Sequence, residues 1–164
     1  MIKHIQYILI LSLCLVNNAL ALIEIDITEG NREPLPIAIS DFFYDEIDSS
    51  KLSAISVNLS NVVKADLERC GLFEPINKDA FIQNNSAMHL RPRFEDWRLI
   101  KSQALVTGKL KIVDGDKLRV EFRLWDTLAE KEIEALVLIT TLDNWRRISH
   151  MISDKVYERL TGEK

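Results

Sequence analysis

Along the first mature stretch of the chain, apolar and acidic positions alternate: Leu22, Ile23, Glu24, Ile25, Asp26 and Ile27 place Ile23, Ile25 and Ile27 on one side and Glu24 and Asp26 on the other. A period of two is the signature of a half-buried strand. A turn-rich stretch, Thr28-Glu-Gly-Asn-Arg-Glu33, follows. Leu35-Pro-Ile-Ala-Ile39 reads as a second strand, with Pro34 and Pro36 placing its start after Pro36 or assigning it to a sheet edge. Spacings of three and four then take over. Leu52, Ile55, Leu59, Val62, Val63, Leu67 and Cys70 define the apolar stripe of a helix, with cap oxygens at Asp48-Ser-Ser50 and a stop at Gly71. On that stripe Cys70 is expected to be a small buried hydrophobe.

Residues 72–76 form a candidate short strand, and residues 77–88 are polar and irregular. Phe94-Glu-Asp-Trp97 suits one helical turn with both aromatics on one side. Three strand-like runs follow at residues 104–113, 118–125 and 133–140, joined by Asp114-Gly115 and by residues 126–129. An Asp-Gly pair between alternating runs is a type I′ hairpin signal, because both central residues need positive φ. Leu118, Val120, Phe122 and Leu124 mark one buried face. A last helix runs from a cap at Asp143 through Trp145, Ile148, Ile152, Val156 and Leu160 to Gly162. Trp125 and Trp145 are both expected to be buried. The sum is an α+β domain: a mixed, largely antiparallel sheet of about five strands with two amphipathic helices packed on it.

The N-terminal 21 residues stand apart. Lys3 precedes an apolar run that closes on Asn17-Asn18 and Ala19-Leu-Ala21, the layout of a secretory signal peptide cut after Ala21, with Ala19 and Ala21 in the small-residue positions. The run is too short for a bilayer core of about 30 Å. The organisation expected is thus a leader (1–21), a mobile partner-binding segment (22–33) and an α+β body (34–162) in an exported, periplasmic protein.

Composition narrows the chemistry. The 164 residues carry 21 Lys and Arg against 25 Asp and Glu, a net charge of -4 that provides no basic face for nucleic acid. Five single glycines build no phosphate cradle, and three histidines with two cysteines build no metal site. His150 reads as a helix-surface residue, His89 lacks ligands at metal spacing, and Arg91-Pro-Arg93 and Trp145-Arg-Arg147 read as solvated basic clusters. Catalytic, cofactor and metal residues are therefore expected to be none, and the activity is expected to be binding. From the residues alone, the 22–27 strand either adds to the sheet edge of another protein or pairs within its own sheet.

Several phrases resemble one family: Ile23-Glu-Ile-Asp-Ile27 closed by Gly30, Leu35-Pro-Ile-Ala-Ile39 with Phe42, and Val63-Lys-Ala-Asp-Leu67 with Gly71-Leu-Phe73. The rest are Trp97 leading to Ala104-Leu-Val-Thr-Gly108, then Arg123-Leu-Trp-Asp126 and Val156-Tyr-Glu-Arg-Leu-Thr-Gly162. In this order, behind a signal peptide, they are similar to the N-terminal domain of the TolB family of the periplasmic Tol-Pal system. The resemblance implies a non-enzymatic role in outer-membrane integrity and in outer-membrane invagination during division. It implies binding of the TolA C-terminal domain through the mature N-terminus, Leu22 to Ile27 here, and a following β-propeller that holds most of the contact with Pal. That propeller is expected to be missing after residue 164, making the chain a truncated TolB with little affinity for Pal. The alternative is a stand-alone periplasmic ligand-binding or envelope-modifying domain, with a pocket at His89, Arg91 and Arg93 as its mark.

Overall fold

The structure, a computed structural model, describes residues 23, 33–45, 50–83 and 91–163. Its elements are β1 (Leu35–Ile39), β2 (Phe43–Tyr44), α1 (Ser50–Arg69), β3 (Phe73–Pro75), α2 (Phe94–Leu99), β4 (Ala104–Val113), β5 (Lys117–Asp126), β6 (Lys131–Thr141) and α3 (Trp145–Thr161). They form one six-stranded sheet in the order β3-β1-β4-β5-β6, with β2 also paired to β4. The long β4, β5 and β6 are antiparallel, while β1 runs parallel to β3 and β4 and β2 runs parallel to β4. The expected mixed, largely antiparallel α+β architecture is the one observed.

The main core lies between the sheet and the pair α1 and α3. Leu52, Ile55, Leu59, Val63 and Leu67 of α1 and Ile148, Ile152, Val156 and Leu160 of α3 are buried, facing Leu118, Val120, Phe122 and Leu124 of β5. Each helix ends where its glycine turns left-handed, Gly71 at φ 78° and Gly162 at φ 73°. Between the helices, the Asp66 carboxylate meets His150 Nδ1 at 2.7 Å and accepts from Ser153 Oγ at 3.2 Å. A smaller cluster, Ala38, Phe94, Trp97, Leu105 and Trp125, lies under α2 on the opposite face of the sheet.

Five local expectations are corrected. The strand at Pro36 is neither an edge nor delayed: β1 begins at Leu35 and lies between β3 and β4. The proline is tolerated because its carbonyl accepts from Gln103 N–H while the chain opposite its nitrogen is still in the turn before β4. Asp114 and Gly115 do take positive φ, 50° and 84°, but three residues separate the paired Val113 and Lys117, not two. Asp143 falls in a 3-10 turn, Leu142–Asn144, and α3 begins at Trp145 with no side-chain cap bond. At that helix start Trp145 is only half-buried, with the Arg146 guanidinium 5.1 Å from its ring centre. Cys70 is exposed, because α1 stops at Arg69 and the helical stripe no longer applies one residue later.

Candidate functional site

Two of the phrases that carry the family resemblance, Ala104-Leu-Val-Thr-Gly108 and Arg123-Leu-Trp-Asp126, pair with each other in the middle of the sheet. Trp125 Nε1 donates to Thr107 Oγ1 at 2.9 Å across β4 and β5, and the Trp125 ring meets Phe94 edge-on with centroids 5.9 Å apart. Trp97 Nε1 donates to Gln83 Oε1 at 3.2 Å, which also accepts from Arg93 N–H at 2.8 Å. These contacts bind α2 to the sheet and to Gln83.

At the end of β5 the chain turns at Asp126, whose side chain is almost fully buried. Its Oδ1 accepts from the N–H groups of Leu128 and Ala129 at 2.9 and 2.7 Å, an Asx turn that shapes the link to β6. Its Oδ2 accepts from Ile23 N–H at 3.2 Å, 103 positions earlier. The Ile23 side chain is half-buried against the main core. Asp126 therefore bonds Ile23 to the body. Leu22, Glu24, Ile25, Asp26 and Ile27 lie outside the described residues, as do Ala19, Ala21 and His89. Sequence reasoning missed Asp126 as an anchor; its one signal was an acidic residue at the start of a strand-to-strand turn.

The surface carries grooves among the described residues. One, of about 630 Å³, opens between the starts of α1 and α3 and is lined by Lys51, Ile55, Asn58, Asp116, Asp143 and Trp145, among others. Another, of about 430 Å³, is lined by Arg91, Arg93, Phe94, Asp96 and Glu130, among others. Arg91 and Arg93 thus do share a cleft. Arg93 is bound to Asp96 at 2.6 Å, and Glu130 on the same wall is bound to Arg98 at 2.6 Å, so the cleft has little net charge to offer an anion. The exposed Arg91 stacks over Phe94.

Chemical groups at α1 and α3 resemble parts of a catalytic triad without its order. Asp66 binds both His150 and Ser153, whereas nucleophilic catalysis needs the hydroxyl on the imidazole. Ser153 instead donates to Asp66 and to the Ser149 carbonyl. On the exposed side of α3, Lys155 Nζ donates to Glu158 Oε2 at 2.8 Å, and this bond raises the lysine above its ordinary value, against a smaller opposing effect of desolvation. No group of three His, Cys, Asp or Glu side chains is placed to hold a metal ion among the described residues. No helix among them is long and apolar enough to cross a membrane.

Two helices backing one face of a mixed sheet, and a short aromatic-bearing helix on the other, define an α+β module with helices on both faces. Residues 23–133 match the family described as the TolB amino-terminal domain. The chain belongs to that family. It is 52% identical over 165 residues to the Tol-Pal system protein TolB of Pelagibacter ubique, a match that covers 97% of this chain and 37% of that protein. The chain therefore spans little more than a third of the length of that curated relative. The crystal structure of TolB from Acinetobacter baumannii superposes with a TM-score of 0.63 at 25% identity, covering 80% of this chain and 29% of that one. The hypothetical protein CT253 from Chlamydia trachomatis shares the fold, with a TM-score of 0.54 at 14% identity over 77% of this chain and 98% of that one.

Proposed function

We propose that this chain is a non-enzymatic, periplasmic module of the Tol-Pal system, and that Leu22 to Ile27 binds the C-terminal domain of TolA by adding a strand to its sheet. The observation that carries this reading is the alternation of Ile23, Ile25 and Ile27 with Glu24 and Asp26. Backbone hydrogen bonds supply affinity in strand addition, and the side chains of one face supply specificity. Family membership supports the system, and the leader with Ala19 and Ala21 supports export. The role served is outer-membrane integrity and invagination at division.

Calorimetric titration of the TolA C-terminal domain into the chain as recovered from the periplasm tests the reading. Saturable binding that is lost when residues 22–27 are deleted is expected. Binding that survives the deletion unchanged places the contact elsewhere on the domain and overturns the assignment.

A further inference from the structure

The groove between the starts of α1 and α3 is walled by separate elements. Lys51, Ile55 and Asn58 are spaced by four and three on α1, so they share one stripe of that helix. Asp116 comes from the turn between β4 and β5, Asp143 from the 3-10 turn, and Trp145 is the first residue of α3. The volume of about 630 Å³ falls within the range of roughly 300 to 1,000 Å³ of small-molecule sites. Part of the lining is apolar, the buried Ile55 with the half-buried Leu142 and Trp145. The polar part is exposed and uncommitted: the side chains of Lys51, Asn58, Asp116 and Asp143 form no hydrogen bond or ion pair among the described residues. In the groove at Arg93, by contrast, Asp96 holds Arg93 and Arg98 holds Glu130.

The lining selects among ligand classes. An anion would meet two carboxylates against a single ammonium, and a simple cation would meet that ammonium. A lipid chain would take water from four polar side chains and return no hydrogen bond. A sugar ring meets every part of the lining. Each hydroxyl both donates and accepts, so it can give to Asp116 or Asp143 and take from Lys51 Nζ or the Asn58 amide. The apolar C–H face of a pyranose suits an indole, and the Arg146 guanidinium, 5.1 Å from the ring centre, steadies Trp145. The geometry points to a saccharide-binding site in this groove. It is remote from Ile23, which bonds to Asp126 at the last residue of β5, whereas Asp116 precedes the first; ten residues of strand, about 33 Å, lie between.

The same ring chemistry occurs in acetamido-sugar glycans and in plain glucose oligosaccharides, and two probes separate these sources. Isotopically labelled full chain is titrated with N,N′-diacetylchitobiose and, separately, with maltose, and amide and indole shifts are followed by NMR. Saturable shifts centred on the amides of Lys51, Asn58, Asp116 and Asp143 and on the Trp145 indole are expected, with a Kd of about 1 mM for a groove that leaves part of the ligand wet. A response to diacetylchitobiose alone assigns the site to acetamido sugars; a response to both assigns it to the pyranose ring they share. Asp116→Ala and Asp143→Ala are each expected to weaken binding about tenfold, the loss of one hydrogen bond to a charged group. Their melting temperatures are expected to be unchanged, because neither side chain is bonded within the domain. Arg91→Ala, in the groove at Arg93, is expected to bind as the wild type does. No shift with either sugar at about 20 mM, well above the expected Kd, overturns the proposal. So do aspartate variants that bind unchanged, and so do shifts at these amides with trilysine but with neither sugar, which would give the groove to a cationic peptide.

Discussion

Phe42 lies against Gly108 so closely that a Cβ at position 108 would stand 2.1 Å from Phe42 Cε1. The same Cβ would meet the Glu121 carbonyl oxygen at 2.5 Å, so moving the ring alone could not make room. The glycine in Ala104-Leu-Val-Thr-Gly108 is thus set by proximity, with no positive φ involved. Phe42 is held in turn, its carbonyl accepting from the buried Ser56 Oγ at 2.6 Å.

Gly108→Ala is therefore expected to destabilise the domain by about 2 to 3 kcal/mol, the range of an overpacked core. Urea unfolding followed by far-ultraviolet circular dichroism reads the change. A loss below about 0.5 kcal/mol, typical of open surface, would mean that β4 and Phe42 do not meet.

The two tryptophans separate in the same experiment. Trp125 is 6% exposed and bonded to Thr107, so Trp125→Ala is expected to cost about 3 to 5 kcal/mol. Trp145 is half-buried at a helix start, and Trp145→Ala is expected to cost about 1 kcal/mol. Equal losses would show that both rings share one kind of environment.

Why the sequence revealed one tryptophan and not the other is a matter of where periodicity operates. Leu118, Val120, Phe122 and Leu124 lie within ten residues of continuous strand, and Leu52 to Leu67 within a helix of five turns, so spacing alone placed them. Trp145 and Cys70 sit at the first residue of α3 and the first residue beyond α1, where the apolar stripe no longer dictates direction. The strand Phe43–Tyr44 is too short to alternate and exists because Lys109 and Leu110 lie beside it. Pro36 was misread for the reverse reason: a single residue suggested an edge, while the parallel ladder with β3 and β4 decided the position. Of the candidate site, the alternation of 22–27 was visible, but its anchor at Asp126 is a contact over 103 positions that no local pattern encodes.

Cys70 provides a direct check on the end of α1. Its thiol is exposed, with Sγ 3.0 Å from the Leu67 carbonyl oxygen. The native protein is expected to be labelled at Cys70 by a maleimide without denaturant, as peptide mass spectrometry would show. Cys70→Ser is expected to change stability by no more than about 0.5 kcal/mol. Labelling that requires unfolding would return the side chain to the core.

Asp126 divides its two oxygens between two tasks, and an asparagine can perform only one of them. The turn uses Oδ1 twice, for Leu128 and Ala129, whereas Ile23 uses Oδ2 once. In Asp126→Asn the single carbonyl oxygen satisfies more donors by staying on the turn, which leaves the amide NH2 facing the Ile23 N–H, donor against donor. The variant is expected to keep the β5–β6 link and to lose about 1 kcal/mol, the net worth of a part-buried hydrogen bond. Hydrogen exchange at the Ile23 amide is expected to quicken about tenfold or more, the equivalent of ~1.4 kcal/mol, while Leu128 and Ala129 keep their protection. Asp126→Ala removes both sets of bonds and is expected to expose all three amides. If Ile23 exchanges at the wild-type rate in Asp126→Asn, the carboxylate does not hold the N-terminal segment, and Ile23 is retained by its half-buried side chain alone.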